Sequence, residues 1–400
     1  MRSANRSRGV AVAAIAVVAL LAGCASQSAA EKAAEAEAAR VAAEIAARTP
    51  PPMGLNQEVV EAASVYVAFS REMAAIEGGF DNPAAIQASL QRGASYDPVQ
   101  LSRGLVAYAS IVALQSPEFV QGVRQYAVDR ATREQLAANI VADPRWASHL
   151  PGADAAAGLI IATLRTDIDA LNRTAGLIEN DAYAVQADAR RSWAVAPVAD
   201  REGRLTDTKA RSTRAMLPSA EDAARLMSAA TSGSGLGLSG DRRRTAPYPP
   251  VVERALAISA LAAFGEAGDS TRTHALQDDP VSQGCLAESK LNLFQCLAAS
   301  RPNYEDVFCV GRHIVRDIAT CTRGAAQPAP TVLVSGVEVV PEPRITPTSL
   351  DAPVTPTPAP APAPVQTPAT PPAPVATPAP PRPAVSPTER LNSQPNRDPG

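Results

Sequence analysis

Hydrophobic and polar positions change rhythm several times along the chain, and each change predicts a different segment. Val10 to Leu20 is an apolar stretch preceded by Arg2, Arg6 and Arg8 and followed by the small residues Ala22 and Gly23. The apolar run of about 13 residues is shorter than the roughly 20 that cross a bilayer as a helix, so 1–23 reads as a signal peptide. Ala29 to Arg48 is almost wholly Ala, Glu and Arg. High intrinsic propensity predicts a helix there, alanine gives it little to bury, and Pro50-Pro51-Pro52 ends it by removing backbone donors. Residues 24–54 therefore read as a stalk, with a helix packed on the body as the other reading.

From Leu55 to Thr322 the punctuation is helical. Asn82-Pro83, Asp97-Pro98, Ser116-Pro117 and Asp143-Pro144 each place a capping side chain before a proline at a first-turn position. Proline is tolerated there because its missing N–H would be unpaired anyway, while the polar side chain accepts from the orphan donors. Ser219 followed by Asp222 makes a further capping-box-like start. No run of alternating apolar and polar residues predicts a strand. The expected fold class is all-α: a helical domain over 55–230, a Gly/Ser/Arg-rich flexible linker at 231–250 and a helical subdomain over 251–324. The longest repeat, Ala157, Ile161, Leu164, Ile168, Leu171, Ala175, Ile178, Ala182, Val185 and Ala189, alternates steps of four and three. Such a heptad seam predicts a helix of about 33 residues, near 50 Å long. It serves either as a protruding coiled-coil arm or as the central helix of a bundle.

Four cysteines, Cys285, Cys296, Cys309 and Cys321, follow in the second helical segment. Three pairings are possible. Bridging within one helix fails, because eleven residues rise about 16 Å while bridged Cα atoms lie within about 7 Å. The nested pairing of Cys285 with Cys321 and Cys296 with Cys309 is centred on Arg301-Pro302-Asn303, so a helical hairpin folded there brings both pairs together, much as in twin-Cys hairpins of the coiled-coil-helix type. One mismatch stands out. Cys285 and Cys296 differ by about 20° around a helix but Cys309 and Cys321 by about 120°, which calls for a local adjustment near Gly311. Zinc is a poor alternative, because the spacings lack the usual ligand knuckles. Cys309 and His313, one turn apart, would chelate a metal only if Cys309 were reduced.

Composition narrows the function. The 400 residues include 37 prolines and 4% aromatics, with a net charge of −3. That excludes a collagen-like repeat, a polytopic membrane protein and a strongly basic nucleic-acid binder. Of the 37 prolines, 22 fall in the last 73 residues, and 325–400 reads as a disordered tail that samples extended polyproline II. Within it, the β-branched island Thr331 to Val340 would add an edge strand to a partner or pack back on the body. Arg242-Arg243-Arg244 reads as a solvated charge run in the linker, with anionic head groups or glycan phosphates as the sharper alternative. His149 and His274 stand apart from any catalytic pattern. Glu288-Ser289 has a faint similarity to the Glu-Ser of lytic transglycosylases but lacks its Gly and aromatic context.

Leu21-Ala22-Gly23-Cys24 resembles the lipobox of bacterial lipoproteins at all four positions. The resemblance implies a diacylglycerol thioether on Cys24, cleavage after Gly23 and acylation of the new amino group. Removing 23 residues would leave 377, with 34 basic against 40 acidic side chains and a net charge of −6. Several acyl chains on one cysteine anchor stably. Ala25 and Ser26 stand where Asp would retain many Gram-negative lipoproteins in the inner membrane, so the expected place is the outer membrane, facing the periplasm. The Gram-negative assignment itself rests on a lysine-poor composition, Lys32, Lys209 and Lys290 being the three lysines. The expected function is a structural, scaffold or assembly role in the cell envelope. The membrane would be contacted through the N-terminal lipid, and an envelope protein or peptidoglycan would be the partner. Nucleic acid, cofactor and metal are not expected, and no residue is assigned a catalytic role. A cell-wall-modifying enzyme or accessory factor with a helical active site is the alternative.

Overall fold

A computed structural model describes residues 29–238 and 243–327. The lipobox with Cys24, Arg242, the island at Thr331 to Val340 and the Pro-rich tail lie outside them. In chain order the α-helices are α1 (Ala29–Arg48), α2 (Gln57–Ala74), α3 (Pro83–Ala94), α4 (Pro98–Ala113), α5 (Pro117–Arg124), α6 (Arg130–Ala142), α7 (Ala153–Ala184), α8 (Arg201–Ser212), α9 (Ala220–Ser232), α10 (Pro250–Phe264), α11 (Ser270–Leu276), α12 (Pro280–Ala299), α13 (Asn303–Val310) and α14 (Asp317–Ala326). A π-helical turn, Gly311–Arg316, joins the last two. Among the described residues there is no strand, only an isolated bridge between Pro197 and Pro302. None of the described helices is long and apolar enough to cross a membrane.

The caps form where polar residues precede proline. The side-chain oxygens of Asn82 and Asp97 accept from the N–H groups of Ala85 and Gln100, and that of Ser219 accepts from Asp222. Asp143 caps a short 3-10 helix, accepting from Arg145. Ser116 starts α5 but makes no capping bond. Helix α1 carries exposed side chains from Ala30 to Ile45, with Glu37 and Arg40 paired along it.

One buried cluster runs through the whole helical body. Helix α10 is apolar from Ala255 to Phe264 apart from Ser259 and is buried along nearly its whole length, lying against α4. Helix α4 in turn packs on α2, where Gly104 allows the backbones to meet: a Cβ there would lie 2.5 Å from the Ala62 carbonyl oxygen and 2.9 Å from Tyr66 Cβ. Residues on both sides of 231–250 thus share one core, so this segment does not separate two. Its Arg243 is exposed to solvent and pairs with Asp154 at 2.9 Å and with Glu118.

The heptad seam forms α7, and Ala157 through Val185 of it are buried. The continuous helical run of α13, the π turn and α14 lies along it, and α2, α4 and α10 pack on it as well, which makes α7 the central helix of a bundle and not a coiled-coil arm. The helix ends at Ala184, and the last seam residue, Ala189, is exposed on an irregular turn.

The close α2–α4 crossing predicts a contrast between two glycines. Gly104→Ala should destabilise the fold by about 1–3 kcal/mol, because the added methyl meets backbone that cannot yield. Gly284→Ala, on the exposed side of α12 with open space around it, should be neutral or stabilising by up to about 1 kcal/mol. Thermal or urea unfolding of the two variants measures the difference.

Candidate functional site

The four cysteines form the nested pairs: Cys285–Cys321 with Cα atoms 5.6 Å apart and Cys296–Cys309 with 5.9 Å. Helix α12 runs out to Ala299, the chain reverses at Ser300 to Pro302, and α13 runs back. Cys309 and Cys321 could not both face α12 from a regular helix. The π turn between them absorbs one residue without advancing the helix, which subtracts about 100° from their separation of about 120° and leaves about 20°. That equals the offset between Cys285 and Cys296. The turn is clasped to α7: a Cβ on Gly311 would lie 3.1 Å from the Glu179 backbone nitrogen, and the Arg316 guanidinium grips Glu179 through two bonds of 2.6 and 2.7 Å. Glu179 in turn raises the Arg316 pKa above its ordinary value, against the smaller effect of burial.

The tip of the hairpin is tied to α8 and to the segment before it. Arg201 donates to the carbonyls of Ser300 and Ala298 at 2.8 and 2.7 Å, so it satisfies free carbonyls at the end of α12. Arg204, nearly fully buried, donates to the Leu297 carbonyl and to Asp306, whose other oxygen accepts from Gln87 of α3 at 3.2 Å. The Val198 N–H donates to the Arg301 carbonyl at 2.8 Å and the Asn303 N–H to the Ala196 carbonyl at 3.1 Å, which closes the bridge across the reversal.

The strongest chemical feature of the body lies elsewhere. A cavity of about 210 Å³ opens between α2, α4 and α7, lined by Tyr66, Ser70 and Arg71 of α2, Tyr108 of α4 and Asp167 of α7. Tyr66 and Ser70, one helical turn apart, are 2% and 6% exposed, and the Ser70 and Thr322 hydroxyls lie beside the Tyr66 phenol. The Tyr66 and Tyr108 rings stack with centroids 5.7 Å apart. Burial pushes the Asp167 carboxyl up to about 6, with the Arg71 charge opposing it weakly. Arg71 is itself engaged by Asp222 of α9 at 2.8 Å. Burial and then the Asp167 charge push the Tyr108 phenol up to about 12 and raise that of Tyr66 as well.

No family model, no curated protein and no solved structure matches the chain.

The remaining candidates do not converge. Cys309 is bridged and His313 Nδ1 lies 3.1 Å from Asp317, so these two do not form a ligand pair, and no metal-binding group of His, Cys, Asp and Glu occurs among the described residues. His149 stacks edge-on against Trp146, with centroids 6.5 Å apart. His274 lines a separate cavity of about 250 Å³ with Glu58, Glu61 and Arg103. Glu288 is exposed and Ser289 is buried within the hairpin packing, so the pair does not form a catalytic groove. Sequence reasoning missed the Asp167 cavity entirely.

A carboxyl held near 6 in the native state, against about 3.9 when unfolded, favours the fold in its protonated form. The native state therefore loses stability as pH rises from about 4 to about 6 and stays lower above, by up to about 3 kcal/mol from this one group. Asp167→Asn should raise the thermal midpoint by several degrees at pH 7.5, and the gain should vanish below pH 4. Thermal melts of the two proteins across that range measure both limbs.

Proposed function

We propose that the chain is an outer-membrane-anchored periplasmic lipoprotein with a scaffold or assembly role in the cell envelope. The observation that carries the reading is the pair of disulfides in a chain whose first 24 residues match a lipoprotein signal. Structural disulfides persist in oxidising compartments, and export would deliver this chain to one. The exposed helix α1 supports the same reading, because an alanine-rich spacer lifts the helical body clear of a lipid anchor at Cys24. The Pro-rich tail, at about 3.1 Å per residue over its most regular 35 residues, would reach on the order of 100 Å to an envelope protein or to peptidoglycan. A stoichiometric protein partner recovered from cross-linked envelopes supports the scaffold role. Altered muropeptides in a deletion strain, with no such partner, would instead point to a cell-wall-modifying activity.

Cys24→Ser is expected to abolish incorporation of an acyl analogue in metabolic labelling and to release the protein from washed membranes. Retention of label by the Ser variant would overturn the anchor. Sucrose-gradient fractionation of the wild type should place it in the outer-membrane fraction, and recovery with the inner membrane would overturn the sorting.

A further inference from the structure

A large aromatic side chain is left open to solvent on a turn that is otherwise firmly anchored. Trp146, one of two tryptophans in the chain, is 48% exposed. Its turn, the 3-10 helix Pro144–His149, is capped by Asp143 and packs on α10 with Ala147 fully buried. An indole contributes most when its faces are covered, so one presented to water from a rigid turn marks a contact surface. Trp146 lines a cavity of about 280 Å³ with Asp143, Arg145 and His149. Those three are planar polar groups. Arg145 Nε and Nη2 donate to the two Asp143 carboxylate oxygens at 2.9 and 2.8 Å, which fixes both side chains in one arrangement. The His149 ring stands edge-on to the indole, with centroids 6.5 Å apart.

We propose that this cavity seats one sugar ring of a glycan strand, the flat C–H face of the pyranose on the Trp146 indole and its hydroxyl or acetamido groups bonded to Asp143, Arg145 and His149. The lining selects by exclusion. Asp143 and Arg145 neutralise each other, and Glu253 of α10 feels both charges together with that of Arg254, which balances its own, so an ionic ligand meets no net charge. A purely apolar ligand would cover three polar groups without giving them partners. A pyranose answers both demands. One face carries only C–H groups, while the rim both donates and accepts, matching a carboxylate that accepts, a guanidinium that donates and an imidazole that does either. The volume is below the usual range for drug-sized ligands, so one ring is seated and the strand continues past the exposed indole. This deepens the reading that peptidoglycan is a partner, and rests on it for the choice of a β-linked N-acetylhexosamine strand.

The test titrates the purified full-length chain with tri-N-acetylchitotriose, a soluble β-linked N-acetylglucosamine trimer, by tryptophan fluorescence and by calorimetry. Maltotriose, α-linked and without acetamido groups, is the control. The trimer is expected to bind in the millimolar range with a saturable fluorescence change, and maltotriose several-fold more weakly. Trp146→Ala, which removes an exposed side chain, should keep the thermal midpoint, weaken trimer binding by about tenfold or more and leave the emission of Trp193 unaltered by the trimer. Trp146→Phe should restore part of the affinity. Arg145→Ala, whose backbone N–H still serves the Asp143 cap, should weaken binding by a smaller factor. No binding of the trimer at millimolar concentration, equal affinity for maltotriose, or unchanged affinity in Trp146→Ala would each overturn the proposal. A chain that fails in this way while cross-linked envelopes still yield a stoichiometric protein partner loses the glycan site and keeps the scaffold role. One that binds the trimer as expected but fractionates with the inner membrane keeps the site and loses the sorting.

Discussion

Two disulfides between the same pair of antiparallel segments impose a rotational constraint: both cysteines on each side must fall on the stripe that faces the other. Helix α12 meets it with Cys296 eleven positions after Cys285. On the returning arm of the hairpin Cys321 is twelve positions after Cys309, and the π turn at Gly311–Arg316 removes the excess. The same turn is where the hairpin touches α7 most closely, through Gly311 and the Arg316–Glu179 fork. Covalent register and core packing are therefore settled by one local feature. Displacing it would carry Ile314, Val315 and Ile318 off the central helix, and each of these is fully or almost fully buried.

The buried Arg204–Asp306 pair plays the corresponding part at the hairpin's tip. A buried ion pair adds little net stability over an apolar replacement, but removing one partner leaves an uncompensated charge at a cost of about 3–5 kcal/mol. Its partners come from α8, α12, α13 and α3, so it fixes the orientation of four segments at once. The hairpin is thus held at the tip by charge, along its length by sulfur and at its base by packing on α7.

Much of this architecture was legible in the sequence because it depends on local or pairwise spacing. Caps at Asn82, Asp97 and Ser219, the long helix under the heptad seam and the nested cysteine pairing all follow from such spacing. The surroundings of the seam did not, because a heptad repeat looks the same in a protruding arm and in a central helix that several neighbours bury. A further signal was present and unused: Asp306, Val310, Ile314, Ile318 and Thr322 recur every four residues and are all buried. In a regular helix that stripe would turn by about 160° over its length, so a constant spacing of four announces an underwound helix. The Asp167 cavity left no local trace. Tyr66, Tyr108 and Asp167 lie on three helices far apart in the chain, and nothing in the string Asp167-Ile168-Asp169 shows that the first aspartate is half-buried while the second is exposed.

The picture is of a helical body with one continuous core, a rigid double-bridged hairpin along its central helix and a polar cavity on another side of that helix. The role of the π turn as a register corrector is the claim on which the hairpin rests. Deleting the exposed Arg312 and, separately, inserting one alanine after it tests this directly, with non-reducing peptide mapping by mass spectrometry as the readout. The deletion should restore a regular helix with the two cysteines eleven positions apart and keep the Cys285–Cys321 linked peptide. The insertion should rotate Cys321 by about a further 100° and lose that peptide. Loss of the Cys285–Cys321 link in the deletion variant, with its retention in the insertion variant, would contradict the account.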